Sequence, residues 1–418
     1  MTLEEQQLSM LLEDEARGLD ISPSDYQRAV ESYTAVGNWL EEGFQEAYPG
    51  SVAEPEVYPQ GSMRLGTVVR PVKDGQEPCY DIDLVCELQA DKLVMSPRAV
   101  KHQVGDRLKA HGTYADMLDD EGRRCWTLEY ASRNDVDFHI DILPCVPATA
   151  DTKAQLVAVG VPERCARGAV AITHASDRAA PRYECKCGTP KGYAEWFDVR
   201  NAAAFIRAQQ DQKEVLLENN RRIYASVDDV PDQLVRTPLQ RAVQVLKRHR
   251  DVRFKDDPEY RPISMIITTA AAQFYDGEAD TFTAVRNIVS TLAAHAALLS
   301  DPNARLEEGV VEPRLITRLE DGTWYIPNPV NPEENFADRW HEEDHARARA
   351  FFRWVNWVKD DVLEPLAAEQ SLSNARRMVN SAMGLAVPTV IVPRRGEASG
   401  RQAPAEIRIS DPSRPWGD

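Results

Sequence analysis

The sequence has little cysteine and no excess of positive charge. Seven cysteines in 418 residues are too few and too scattered for a disulfide framework, and the number is odd, so reduced thiols are the simpler state. Cys79, Cys86, Cys125, Cys145 and Cys165 stand singly among apolar or mixed neighbours, the pattern of small buried hydrophobes. Cys185 and Cys187 form a Cys-x-Cys that would have to recruit Cys165 and His174 to hold zinc, and it lacks the two-residue gap usual in structural zinc pairs. Lys plus Arg number 49 against 67 Asp plus Glu, a net charge of −18. That balance excludes a generally basic surface of the kind that wraps nucleic acid. No run approaches the ~18 apolar residues of a membrane span. The opening MTLEEQQLSMLLEDEARG is acidic where a signal peptide is basic and then apolar. These absences point to a soluble cytoplasmic protein, long enough for two or three domains.

What is present changes texture along the chain. Residues 1–50 read as a helical segment packing on the core, with Ser22-Pro23 opening a helix whose Tyr26, Val30, Tyr33, Val36 and Leu40 share one face. Residues 51–190 read as an α/β unit with a small mixed sheet. Its strand candidates are SMRLGTVVRPV, YDIDLVCEL, CWTLEYA and DVDFHIDILP, and Ser96-Pro97 opens a helix that Gly112 stops. Residues 191–395 carry five helix-length apolar patterns, one of them begun by Thr237-Pro238, and a loop-rich stretch ending in PNPVNPEENFADRW. Residues 396–418, rich in Pro, Ser, Gly and Arg, read as a flexible tail.

Three carboxylates carry the chemistry. Asp81 and Asp83 lie two apart, so both project from one face of a strand while Ile82 and Leu84 bury the other. DVDFHIDILP alternates strictly and sets Asp141 on its polar face with Asp135, Asp137 and His139. Alternating Asp also describes the solvated face of an edge strand, so Asp-x-Asp alone is not a site. If the two strands are neighbours, three carboxylates converge, an arrangement that is unfavourable unless a divalent cation neutralises it. Upstream stands Gln60-Gly61-Ser62, where a glycine turn lets backbone N–H groups approach phosphate and Ser62 adds a hydroxyl. The order is the informative part: Gly-Ser, then Asp-x-Asp, then a third strand Asp shortly before Pro144.

In that order the sequence resembles the nucleotidyltransferase fold of the DNA polymerase β superfamily, and within it the bacterial CD-NTases. The resemblance implies an α+β fold: a nucleotidyltransferase core with a small mixed sheet, then a mainly α-helical domain, bilobal about a central active-site cleft. It places Gly61 and Ser62, with Gln60 before them, on the nucleotide phosphates, and Asp81, Asp83 and Asp141 on two Mg²⁺ ions, with Mn²⁺ as a substitute. Members that cyclise nucleotides carry a helical Lys that reaches the triphosphate and a Ser opening the next helix, matched by Lys247 and Ser264. Lys247 by itself reads as a solvated cation within KRHR. Met265 stands where some members place a base-stacking aromatic, and the KDGQEP loop reads as an insertion.

The implied activity is synthesis of a cyclic di- or trinucleotide from ATP, GTP or other nucleoside triphosphates, a second messenger of bacterial anti-phage (CBASS) defence. Regulatory or effector proteins of a defence operon are the implied partners. Two other readings stay open. One keeps the core but changes the acceptor to RNA 3′ ends, a protein or a small molecule, with Arg221, Arg222, Arg241, Lys247, Arg248 and Arg250 as a local basic trough. The other is a non-catalytic nucleotide-binding scaffold, against which three intact acids count. The acidic whole favours free nucleotides over long nucleic acid.

Overall fold

Helix α1 (Leu3–Arg17) and helix α2 (Pro23–Glu41) open the chain, and the Ser22 hydroxyl caps α2 by accepting from Asp25 N. They serve different cores. Leu8, Leu11 and Leu12 of α1 join the apolar cluster of the helical half, while Tyr26, Ala29, Val36 and Leu40 of α2 join the cluster behind the sheet. The computed structural model describes residues 3–42, 55–70, 79–93, 95–133, 136–176, 182–304, 315–368 and 371–385. The KDGQEP loop and the 396–418 tail lie outside them. The described residues belong to one compact unit.

A six-stranded sheet contains β1 (Glu56–Pro59), β2 (Cys79–Glu87), β3 (Trp126–Arg133), β4 (Val136–Pro147), β5 (Val170–Ala175) and β6 (Tyr183–Gly188). Its order is β1-β2-β4-β5-β6, with β3 also on β4. Strand β4 is long enough to pair with β2 on one edge and with β3 and then β5 on the other. The β2–β4 pairing is parallel and the rest antiparallel, which makes the sheet mixed. Alternation divides its faces. Ile82, Leu84, Cys86, Leu128, Ile140 and Ile142 bury one face against α2 and helix α4 (Pro97–Lys109). The other face carries the three acids, beside a small apolar strip of Val85, Leu143, Cys145 and Val170.

Two local expectations change. SMRL is not strand: Gly61–Leu65 forms a short helix, α3, closed by Gly66 in the left-handed conformation. Nor does Gly112 end helical structure. Helix α4 stops at Lys109, and Gly112–Met117 forms a further short helix, α5, capped by His111 Nδ1 accepting from Tyr114 N at 3.3 Å.

The helical half includes α6 (Pro190–Asn219), α7 (Pro238–Arg253), α8 (Ser264–Phe274), α9 (Thr281–Ala294), α10 (Glu342–Val358) and a later helix, Leu372–Ala382, among shorter turns. A capping box between Thr237 and Gln240 starts α7, whose residues are buried almost all round. The segment Thr281–Leu299 is long and apolar enough to cross a membrane, where the sequence reading found no such run. Its Ala284, Val285, Ile288, Val289 and Leu292 are buried in the same cluster as residues of α1, α7, α8 and α10, so it is a core helix of the helical half.

Candidate active site

The parallel register of β2 on β4 sets Asp81 opposite His139 and Asp83 opposite Asp141. Cross-strand partners share a face, so the three acids face one another as the alternation requires. On the far side of β4, Thr127 of β3 stands opposite Asp141 and donates to its Oδ1 at 2.6 Å. His139 Nδ1 lies 3.7 Å from Asp81 Oδ1. Burial, then the charges of Asp141 and Asp81, push Asp83 up to about 7 against the pull of Lys247.

The Gly-Ser turn arrives at the acids through the backbone, where Gln60 N donates to Asp83 O at 2.8 Å. Gly61 has φ of 60°, and a Cβ there would collide with Asp83 Oδ2. A glycine is therefore required twice, by conformation and by proximity. Ser62 follows in α3, and both it and Gly61 line the cavity.

Helix α7 brings Lys247 to the same place. Its Nζ donates to Thr67 O at 3.2 Å. Burial, then the charge of Arg250, pull Lys247 down to about 8, against Asp251, Asp83 and Asp81. Ser264 opens α8, and its Oγ accepts from Arg250 at 2.9 Å. Gln60, Gly61, Ser62, Asp81, Asp83, Lys247 and Ser264 thus line one cavity of about 1000 Å³. Asp141 stands beside Asp83 at the cavity's edge rather than in its lining. Seven of the eight residues chosen from the sequence meet in one space, and the eighth adjoins it.

Carboxylate oxygens suit Mg²⁺, which keeps several waters and substrate oxygens in its shell. Among the described residues no three His, Cys, Asp or Glu side chains form a ready cation cage, so the acids are an open cluster rather than a closed one. The same holds for zinc. Cys185 pairs with Thr173 and His174 with Glu184, which puts His174 and the two cysteines of β6 on opposite faces.

Several residues with structural claims on the site were not chosen from the sequence. Thr127 becomes visible only through the β3–β4 register. Arg250, expected in a basic trough, is instead buried and donates to Pro262 O and Ser264 Oγ. Arg241 is buried too, held by Glu13 and Asp20, and buried Arg248 donates to Arg70 O. Half the expected trough is therefore internal structure.

The chain is similar to known proteins in both sequence and fold. Residues 55–144 match the family described as Cyclic GMP-AMP synthase DncV-like, nucleotidyltransferase domain. A c-di-GMP synthase of Roseivirga ehrenbergii is 29% identical over 336 residues, 80% of this chain and 73% of that protein. The cyclic dinucleotide synthase CdnG of Bradyrhizobium diazoefficiens is 23% identical over 417 residues, 94% of this chain and 85% of that protein. The structure of that CD-NTase in complex with GTP superposes with a TM-score of 0.61 at 21% identity, covering 90% of this chain and 98% of that one. The CdnC:HORMA-deltaN complex of E. coli MS115-1 gives 0.55 at 15% identity, over 91% and 96%. These structural likenesses show the nucleotidyltransferase fold, with its small mixed sheet and helical half.

Proposed function

We propose that this chain, a nucleotidyltransferase whose catalytic domain is DncV-like, joins nucleoside triphosphates into a cyclic oligonucleotide, a di- or trinucleotide. The observation that carries the reading is the register of Asp83 beside Asp141, at a cavity lined by Asp83, the Gly-Ser turn, Lys247 and Ser264. A cavity of about 1000 Å³ is at the upper end of small-molecule sites, room for more than one nucleotide. The relatives' names, c-di-GMP synthase and cyclic dinucleotide synthase, favour a dinucleotide and GTP among the substrates.

In this reading Asp81, Asp83 and Asp141 hold two Mg²⁺ ions, which supply charge neutralisation at the phosphates and activation of the attacking hydroxyl. Gly61 and Ser62, introduced by Gln60, cradle the phosphates. Lys247 neutralises the triphosphate, and Ser264 donates its hydroxyl to it while Arg250 occupies the Ser264 lone pair. The helical half closes the pocket over the nucleotides. The buried state of Arg241, Arg248 and Arg250 weighs against an RNA acceptor. The product serves as a cytoplasmic second messenger of anti-phage defence, and regulatory proteins fit the reading because CdnC is known in complex with HORMA-deltaN.

The test is incubation with labelled nucleoside triphosphates and Mg²⁺. The expected result is a phosphatase-resistant product that vanishes in Asp81→Ala/Asp83→Ala. Absence of any product across the four nucleotides would falsify the reading.

A further inference from the structure

Forming a bond between two nucleotides brings two triphosphates into one cavity. The donor loses pyrophosphate, but the acceptor keeps its own triphosphate while its hydroxyl attacks. Each is a polyanion that needs countercharge. Lys247 and Ser264 account for one. The charge pairing along the cavity locates the other.

Most cations lining the cavity are already committed. Arg64 is bound by Asp198 at 2.6 Å, and Lys186 by Glu184 at 3.0 Å. Arg250 and Arg261 share Asp251 at 2.6 and 3.8 Å. Arg339 and Arg347 share Glu342 at 2.8 and 3.2 Å. Among the described residues of the lining, Lys247 and Arg124 are the cations left without a carboxylate partner. In a chain of net charge −18, an arginine that lines a cavity and makes no ion pair among the described residues is a specific arrangement.

Arg124 also stands in the right place. It precedes β3, whose Thr127 binds Asp141, and the neighbouring Cys125 thiol lies in the electrostatic reach of Asp141, Asp83 and Arg124 together. Strand order β2, β4, β3 sets the acids of β2 and β4 to one side of the strand that follows Arg124. Lys247 approaches from α7, against Thr67, and Arg124 from the β3 side. Its planar fork matches phosphate oxygens in pairs.

Resting on the reading of this cavity as a two-nucleotide site, we propose that Arg124 binds the triphosphate of the acceptor nucleotide, the one Lys247 does not hold. The site takes a nucleoside triphosphate through its phosphates, so it is indifferent to the base.

The probe is 2′,3′-dideoxy-GTP with Mg²⁺, which has no hydroxyl to react, titrated calorimetrically into the intact chain. Wild type is expected to take up two per chain. Arg124→Ala loses one and keeps the other at wild-type affinity, Lys247→Ala loses the opposite one, and Arg124→Lys keeps both with the second weakened about 10-fold, the worth of one charge-assisted bond. Arg124 is exposed and in no ion pair among the described residues, so the thermal midpoint of Arg124→Ala stays at wild type and a lost site is not unfolding. Two unchanged sites in Arg124→Ala overturn the proposal alone. So does loss of the same site in both alanine variants, which would put Arg124 on the donor. A wild type that binds no nucleotide removes the proposed function, and this inference falls with it.

Discussion

Thr127 and Asp141 face each other across β3 and β4, and the threonine hydroxyl fills one oxygen of the carboxylate. The bond fixes the carboxylate's rotation and leaves Oδ2 to be aimed. Thr127→Val keeps the shape and removes the donor. The metal concentration for half-maximal turnover is expected to rise about 10-fold or more, the usual cost of losing an orienting partner behind a ligand, while Thr127→Ser restores it. Metal titration of activity, with Mn²⁺ binding as an independent readout, checks this. Asp83 supplies a second residue-level expectation. Its proton, ordinarily lost at 3.8, is held in the folded metal-free protein up to about 7. The folded state then binds more protons than the unfolded one across that window, so the contribution to stability is full below about 4 and is lost as pH rises through 7. A bound cation takes the proton's place. Thermal midpoints measured with and without Mg²⁺ should therefore diverge as pH rises from 5 to 8, and a pH-independent gap would count against this assignment of Asp83.

At the level of elements, α7 acts on the segment after the Gly-Ser turn through one row of side chains. Gln240 donates to Leu65 O at 2.9 Å, Gln244 to Val68 O at 2.7 Å and Lys247 to Thr67 O at 3.2 Å, and Arg248 donates to Arg70 O. Positions 240, 244, 247 and 248 share a helix face, so the chain leaving α3 is pinned at four carbonyls to the helix that carries the cation. Gln244 also donates to Asp20 at 3.0 Å. Gln244→Leu leaves a buried carbonyl without this donor, and each such loss costs ~1–3 kcal/mol. The variant is expected to show a lower denaturation midpoint together with weaker nucleotide binding. Weaker binding at unchanged stability would mean that the pin does not hold the turn.

Across the whole molecule, the features written in local pattern were legible and those written in distant pairing were not. Asp81, Asp83 and Asp141 could be found because strand alternation sorts faces by spacing alone, and Ser22, Ser96 and Thr237 announced their helices by capping chemistry. SMRL misled because β-compatible residues there follow a glycine whose positive φ starts a helical turn instead. Arg241 misled for the opposite reason: its partners, Glu13 and Asp20, lie more than 200 positions away, and no window of sequence shows that a cation is already neutralised. Arg124 could not be singled out from sequence because whether a cation is paired among the described residues depends on the folded surroundings.

Asp20 gathers Arg236, Arg241 and Gln244 from more than 200 positions further along the chain, and that junction can close only when both ends of the span are present. A nascent chain that has emerged as far as residue 230 already contains every acid and the glycine turn, yet it lacks both the lysine and the helix to which the turn is pinned. Contacts of such long sequence separation form late. The turn is therefore pinned only once the first twenty residues and the helix beginning at Pro238 are both in place, so a chain cut before Pro238 holds the acids and the glycine turn without Lys247.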